Sequence, residues 1–240
     1  MGKKAWIIFI AVVVGLLVAL VMWSQSTTPQ IDANNINVNS VQVASNTNGN
    51  IADHVFGKAD SKTVLIEYGD YQCPGCSSVN PGIEKITHEY QAAITFIFRN
   101  FPLTSIHQNA LAAASAVEAA GLQGKYWEMH SLIYQNQTSW ENLSGEERTN
   151  SFVDFAKSLG LDGDKLKTDL LSTDISQKII FDEALGKKAD VNSTPTFYLN
   201  GVKLSSDVIS DVQQGTGNKL RDALDSQLKV AGVTPPTRSN

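Results

Sequence analysis

Residues 63–76 read Thr63-Val64-Leu65-Ile66-Glu67-Tyr68-Gly69-Asp70-Tyr71-Gln72-Cys73-Pro74-Gly75-Cys76. The first six are mostly β-branched, aliphatic or aromatic and predict a strand. Pro74 suits the first position of a helix, where no backbone N–H is needed. That helix is expected over 74–91, because Val79, Ile83, Ile86 and Tyr90 recur at three- and four-residue steps. A second strand, ITFIFR, follows at 94–99. Strand, helix, strand in so short a span is a βαβ unit, whose strands lie parallel with a right-handed crossover. The only two cysteines of the chain, Cys73 and Cys76, sit where the first strand gives way to the helix. Two thiols cannot build a disulfide framework, but two placed two residues apart can do chemistry as a pair.

Position assigns the two thiols different work. The sulfur of Cys73 faces the unpaired N–H groups and the positive end of the helix, which favours thiolate. A helix terminus contributes about 0.3–1 kcal/mol, at most about 2, so it lowers a thiol pKa by roughly one unit. Anything beyond that requires hydrogen bonds from local N–H groups or from the partner thiol. Cys76, about one turn into the helix, is the more buried and resolving thiol. Glu67 stands six residues before Cys73 in an otherwise apolar strand, on the face opposite Ile66 and Tyr68. Buried there, its pKa rises and suits it to exchange a proton with Cys76; on a half-exposed strand it is an ordinary surface glutamate. Thr194-Pro195 precedes a strand-like TFYL, and proline belongs at a strand's first residue. A metal role is not expected: zinc needs about four ligands, there is no second C-x-x-C, and His88 has no following histidine at finger spacing. Haem attachment needs histidine directly after Cys76, where Ser77 stands. His107 and His130 are expected to be packing or surface residues.

The chain has 240 residues, 42% hydrophobic and 18% charged, with a net charge of −5 and Lys3 and Lys4 at one extreme. Nucleic-acid binding has no electrostatic support in such a sequence. Residues 6–23, WIIFIAVVVGLLVALVMW, form an uncharged apolar run. As a helix it reaches about 27 Å, close to the roughly 30 Å of a bilayer core. Residues 1–24 are therefore expected to be a transmembrane signal anchor, or a signal peptide, with the lysines inside and everything after them across the membrane. The Asn-, Ser-, Thr- and Gln-rich stretch 25–52 reads as a flexible tether, or a short β-arm at 36–43. Localisation at the cell membrane, single-pass, with an extracytoplasmic folded domain, follows.

That domain is expected over 53–232, with a tail at 233–240. Between about 105 and 190 the pattern is helical: 109–122 is alanine-rich, 126–134 carries Trp127, Leu132 and Ile133, and Ser144-Gly145-Glu146-Glu147 is a capping box ahead of Phe152, Phe155, Ala156 and Leu159. Gly160 ends that helix; 164–171 and 174–188 continue the block. Strands return at 196–199 and 202–204 around the hairpin dipeptide Asn200-Gly201, and Leu220, Leu224 and Leu228 mark a closing helix. The order is βαβ, helices, hairpin, helix: an α/β layout of thioredoxin type with an inserted helical domain.

Residues 64–76 resemble the DsbA-type branch of the thioredoxin superfamily, as do Phe98-Arg99-Asn100-Phe101-Pro102-Leu103, Gln123-Gly124-Lys125-Tyr126-Trp127 and Ser193-Thr194-Pro195-Thr196. The resemblance covers about 53–232. It implies Cys73 as nucleophile, Cys76 as resolving thiol, Glu67 as buried proton acceptor, and Pro195 as a cis-proline facing the disulfide. Thr194 then offers its backbone to an extended substrate. It also implies an enzyme without cofactor or metal. With the site tethered outside the cytoplasm, no second cysteine pair to relay electrons and no segment of the dimerisation kind, a monomer is expected that introduces disulfides into exported polypeptides bearing thiols and is reset by a quinone-linked membrane partner. Strong oxidants of this kind carry Pro-His between the cysteines, whereas Pro74-Gly75 stands here, so a weaker oxidant is expected. A reductase or isomerase, and a non-catalytic thioredoxin-fold binding module, remain the alternatives.

Overall fold

The cysteine turn hangs from the centre of a five-stranded sheet. The computed structural model describes residues 2–26 and 31–238 and divides into two units, Met1–Asp32 and Ala33–Asn240. In the first, α1 runs Lys3–Ser26. Among the described residues no helix is long and apolar enough to cross a membrane; the apolar run 6–23 ends in three residues whose side chains lie outside them. Residues 27–30 of the expected tether and 239–240 of the expected tail also lie outside the described residues.

In the second unit the elements follow as β1 (Val55–Gly57), β2 (Val64–Gly69), α2 (Pro74–Tyr90) and β3 (Thr95–Asn100). Six helices come next: α3 (Ala110–Gly121), α4 (Tyr126–Gln135), α5 (Gln137–Trp140), α6 (Gly145–Ser158), α7 (Gly163–Asp169) and α8 (Thr173–Lys188). The chain closes with β4 (Thr196–Leu199), β5 (Val202–Lys203), α9 (Ser206–Gln213) and α10 (Asn218–Val230). Strand order is β1-β3-β2-β4-β5. β2 lies parallel to β3, as a βαβ unit requires, and antiparallel to β4. The fold is mixed α/β.

Register sorts the strand residues between two faces. Leu65 and Glu67 share one with their ladder partners Phe96, Phe98, Phe197 and Leu199. Against this face α2 lays Val79, Ile83, Ile86 and Tyr90, and α10 lays Leu220, Leu224 and Leu228, all buried. Each such side chain contributes about 1.5–3 kcal/mol by leaving water, which is what fixes α2 and the cysteine at its N-terminus. A second cluster gathers Cys73, Cys76, Tyr71 and Phe98 with Ala-rich α3, Tyr134, Trp140 and Phe152. The helical block thus packs directly against the cysteine turn.

Two expectations are corrected. The flexible tether fails over 33–52, and so does the β-arm. Residues 33–52 hold no strand, and they lie on the folded unit: Lys188 Nζ donates to the carbonyls of Ala33, Asn34 and Ile36 at 2.7–2.8 Å. Arg99, fully buried on β3, donates to the carbonyls of Val38 and Ser40 at 2.5 and 2.8 Å. Polar composition looked like disorder because the cation that satisfies these carbonyls sits about 60 residues on in sequence. The capping box is the second correction. Ser144 is the N-cap of α6, but its side chain makes no capping bond, since Gly145 enters the helix at φ +52° and turns the box open.

Candidate active site

Cys73 is the N-cap residue of α2, with extended φ and ψ of −71° and 121°, and Pro74 opens the helix. Its N–H donates to Asp70 O at 3.0 Å, and its own carbonyl accepts from Ser77 N at 3.1 Å. Gln137 Nε2, from the helical block, donates to the carbonyls of Tyr71 at 2.8 Å and Cys73 at 3.2 Å. The turn is therefore held from both sides. Asp70 anchors its root: the buried carboxylate accepts from Gln72 N at 2.7 Å, Leu103 N at 2.8 Å and His107 Nδ1 at 2.7 Å.

The two sulfurs are unbonded thiols in this structure, and their environments pull them apart. Cys76 is wholly buried, and Cys73 retains 8% exposure. The Cys76 thiol donates to the Cys73 sulfur, the largest influence in bringing the Cys73 pKa from 9.0 down to about 5. Burial opposes that shift; Thr194 and the backbone N–H groups of Cys76 and Gly75 add to it. The same contacts act inversely on Cys76. Burial first, then its bond to Cys73 and the nearby Glu67 carboxylate, push that thiol well above its ordinary value. The fall of Cys73 to about 5 exceeds what a helix dipole supplies, and the surplus comes from the hydrogen bonds that the sequence left as a condition.

Glu67 is buried at the middle of β2. Burial, then the negative charge on Cys73, raise its pKa from 4.5 to about 8, so at neutral pH the carboxyl holds a proton beside the thiolate. The surface-glutamate alternative does not fit this placement. Gly69, two residues on, is required: a Cβ there would lie 2.3 Å from the Phe98 ring and 3.2 Å from Glu67 Oε1.

The Thr194–Pro195 peptide is cis, and it meets the cysteine turn from the start of β4. The Cys73 thiol donates to Thr194 O at 3.4 Å. Thr194 Oγ1 is buried with no other hydrogen-bond partner among the described residues, leaving its hydroxyl to donate to the Cys73 thiolate. A Cβ on Gly75 would come within 3.3 Å of Pro195 Cδ and 3.6 Å of Cys73 Sγ, so glycine lets the proline close over the sulfur. Cys73, Cys76, Glu67, Thr194 and Pro195 thus converge. The sequence did not single out Asp70, Gln137 or the Thr194 hydroxyl. Asp70 carried a signal, a carboxylate in the turn three residues before Cys73; Gln137, 64 residues away, carried none. His130 is buried, with Nδ1 2.9 Å from Tyr71 Oη and Nε2 3.1 Å from Asn80 Oδ1. Burial lowers its pKa to about 3, so it is a neutral packing residue. Among the described residues no three His, Cys, Asp or Glu side chains gather as a metal site would need.

Comparison with known proteins agrees with this fold. The sequence is similar over 149 residues, at 35% identity, to the Na(+)/H(+) antiporter NhaA 1 of Salinispora arenicola, covering 62% of this chain and 22% of that protein. A second antiporter of that name, from Mycolicibacterium vanbaalenii, is 34% identical over 155 residues, 63% of this chain and 24% of its own length. The chain thus spans about a quarter of the length of these curated relatives. Among solved structures, BdbD from Bacillus subtilis superposes with a TM-score of 0.63 at 24% identity, covering 79% of this chain and 98% of that one. MdbA, a thiol-disulfide oxidoreductase from Corynebacterium diphtheriae, gives 0.56 at 22%, covering 74% and 94%. These likenesses establish a thioredoxin-like fold with added helices. The sequence profile of the thioredoxin family matches residues 49–215, and the chain belongs to that family.

Proposed function

We propose that the chain is an extracytoplasmic thiol–disulfide oxidoreductase that introduces disulfide bonds into exported polypeptides through Cys73 and Cys76. The observation that carries this reading is the opposed acidity of two thiols one turn apart, about 5 for Cys73 against well above 9 for Cys76. A stabilised Cys73 thiolate favours the reduced pair, and a pair stabilised when reduced is an oxidant. In the first step a substrate thiolate attacks Cys73 Sγ of the oxidised pair. The Cys73–Cys76 bond breaks, and Cys76 leaves with the electron pair and takes the proton of Glu67. In the second step another substrate thiolate attacks the substrate sulfur of the mixed disulfide, and Cys73 leaves as the stabilised thiolate. The substrate loses two electrons to the cysteine pair and gains one disulfide. Thr194 and Pro195 seat the extended substrate, Thr194 through its backbone.

The pair needs an electron acceptor to act again, and a quinone-linked membrane partner fits a domain held at the cell membrane. The apolar run 6–23 behind Lys3 and Lys4 supports a single-pass anchor, and relatives named as antiporters support a membrane setting. Antiport itself is not proposed, because the match spans so little of those proteins. The domain acts as a monomer.

The test is to mix the oxidised full chain with a reduced, unfolded protein substrate and follow thiol loss. Stoichiometric loss of substrate thiols is expected, with Cys73→Ser and Cys76→Ser both inactive because neither can carry the disulfide. Offered a disulfide-bonded substrate instead, Cys76→Ser should accumulate the mixed disulfide at Cys73, one substrate sulfur leaving as thiolate. Substrate thiols left intact would identify a binding module, and reduction of a disulfide-bonded substrate by the dithiol form in preference would identify a reductase.

A further inference from the structure

On the helical block, α3, α6 and α7 line a half-open cavity of about 430 Å3, within the ~300–1,000 Å3 range of small-molecule sites. Its apolar side is made by Ala112 from α3, Phe152 from α6, and Leu170 just beyond α7. Leu111, 45% exposed, and Leu171, 88% exposed, stand among its lining residues, and exposed leucines beside an apolar cavity are not needed for folding. Two cations, Arg148 and Lys167, line it together with the uncharged polar residues Gln108, Ser115 and Thr149, and no acidic side chain belongs to it. Lys167 has Glu146 3.8 Å away, but that carboxylate is 79% exposed and turned to solvent. Arg148 spends Nη1 on Asn109 Oδ1 at 2.7 Å, while its Nε is buried with no hydrogen-bond partner. A buried N–H without an acceptor costs about 1–3 kcal/mol, and a planar carboxylate is the acceptor whose shape suits the guanidinium edge.

We propose that this cavity binds a single-chain fatty carboxylate, its headgroup on Arg148 beside Lys167 and its alkyl chain along Ala112, Phe152 and Leu170. Charge selects the head and the apolar walls select the tail. The proposal does not rest on the redox reading, since the hydrogen bond of Arg148 and the ion pair of Lys167 go to Asn109 and Glu146 rather than to either cysteine.

The probe is a ten-carbon carboxylate carrying a diazirine on its alkyl chain, photolysed with the full chain in lipid nanodiscs and mapped by mass spectrometry. Labelling is expected on the α3 and α6 segments that carry Ala112 and Phe152. Decanoate should compete and decanol should not. Arg148→Met should lower labelling about tenfold or more, the effect of one charge-assisted hydrogen bond. Ala112→Phe, which fills the cavity and leaves the cation in place, should lower it similarly, and circular dichroism checks that each variant is folded. If Arg148→Met does not fold, the decanol arm and Ala112→Phe decide. Labelling elsewhere, labelling unchanged in Ala112→Phe or in folded Arg148→Met, or equal competition by decanol would overturn the proposal.

Discussion

At the level of single residues, Glu67 and Cys73 store opposite preferences for a proton within one site. In the reduced chain the Glu67 carboxyl ionises at about 8 when folded and near 4.5 otherwise. Between those values the unfolded chain has released a proton that the folded chain keeps, so burial of Glu67 makes stability fall as pH rises, and the cost is complete above about pH 8. At pH 7 it amounts to about 3 kcal/mol. Glu67→Gln removes this titration. Denaturant unfolding of the reduced chain should show the variant more stable than wild type by up to about 3 kcal/mol at pH 7, with the gap closing toward pH 4. Parallel pH profiles would mean that Glu67 is ionised or solvated in the fold. The same variant should slow formation of the mixed disulfide at Cys73, because the leaving Cys76 thiolate loses its proton donor. Cys73 and Cys76 could be read from spacing, since a helix start acts over few residues; for Glu67 strand alternation left a surface position open, and only burial at the middle of β2 removes it. The strength of the Cys73 shift could not be read from spacing, because part of it comes from Thr194, 121 residues away.

Among the elements, the N-terminal arm is held by a buried run of charges. Arg99 Nη2 meets Asp53 Oδ2 at 2.8 Å, and Lys178 Nζ meets Asp53 Oδ1 at 2.9 Å and Asp182 Oδ1 at 2.6 Å. Asn100 Nδ2 bridges Asp182 to Glu118, whose other oxygen lies 2.9 Å from His54 Nε2. Burial works against Asp53, yet Lys178 and Arg99 outweigh it and hold the carboxyl at about 2. Burial prevails at Asp182, which rises to about 6. Removing one partner of such a set leaves an uncompensated buried charge and costs about 3–5 kcal/mol. Arg99→Met should therefore destabilise the fold by that amount and speed amide exchange over residues 38–42, because the carbonyls of Val38 and Ser40 lose their donor. Exchange unchanged in the arm would show that Arg99 does not pin it. Composition hid this arm, because Asn, Ser and Gln serve disorder and long-range hydrogen bonding alike. Two other elements were missed for local reasons: β1 has three residues, too few for alternation to register, and α9 has Ser and Asp on half of its positions. By contrast α2, β2 and β3 were legible, since their apolar periods run for several repeats.

For the whole molecule, the sheet, the α2–α10 layer and the helical block bring Glu67, Thr194 and Pro195, far apart in sequence, to one sulfur pair. The βαβ start and the Asn200-Gly201 hairpin announced that layout; Asn200 and Gly201 adopt φ of 48° and 81°, as a two-residue hairpin turn demands. The central claim, that the pair oxidises its substrates, is tested most directly by the reduction potential of Cys73–Cys76. The full chain is equilibrated at pH 7 in glutathione buffers of graded ratio and read by thiol alkylation and mass. The stabilised Cys73 thiolate places the potential above the about −270 mV of thioredoxin, and Gly75 in place of a cationic side chain places it below the about −120 mV of the strongest oxidants. A value inside that window is the expected result, and a value at or below about −270 mV would contradict the oxidase and leave a reductase in its place.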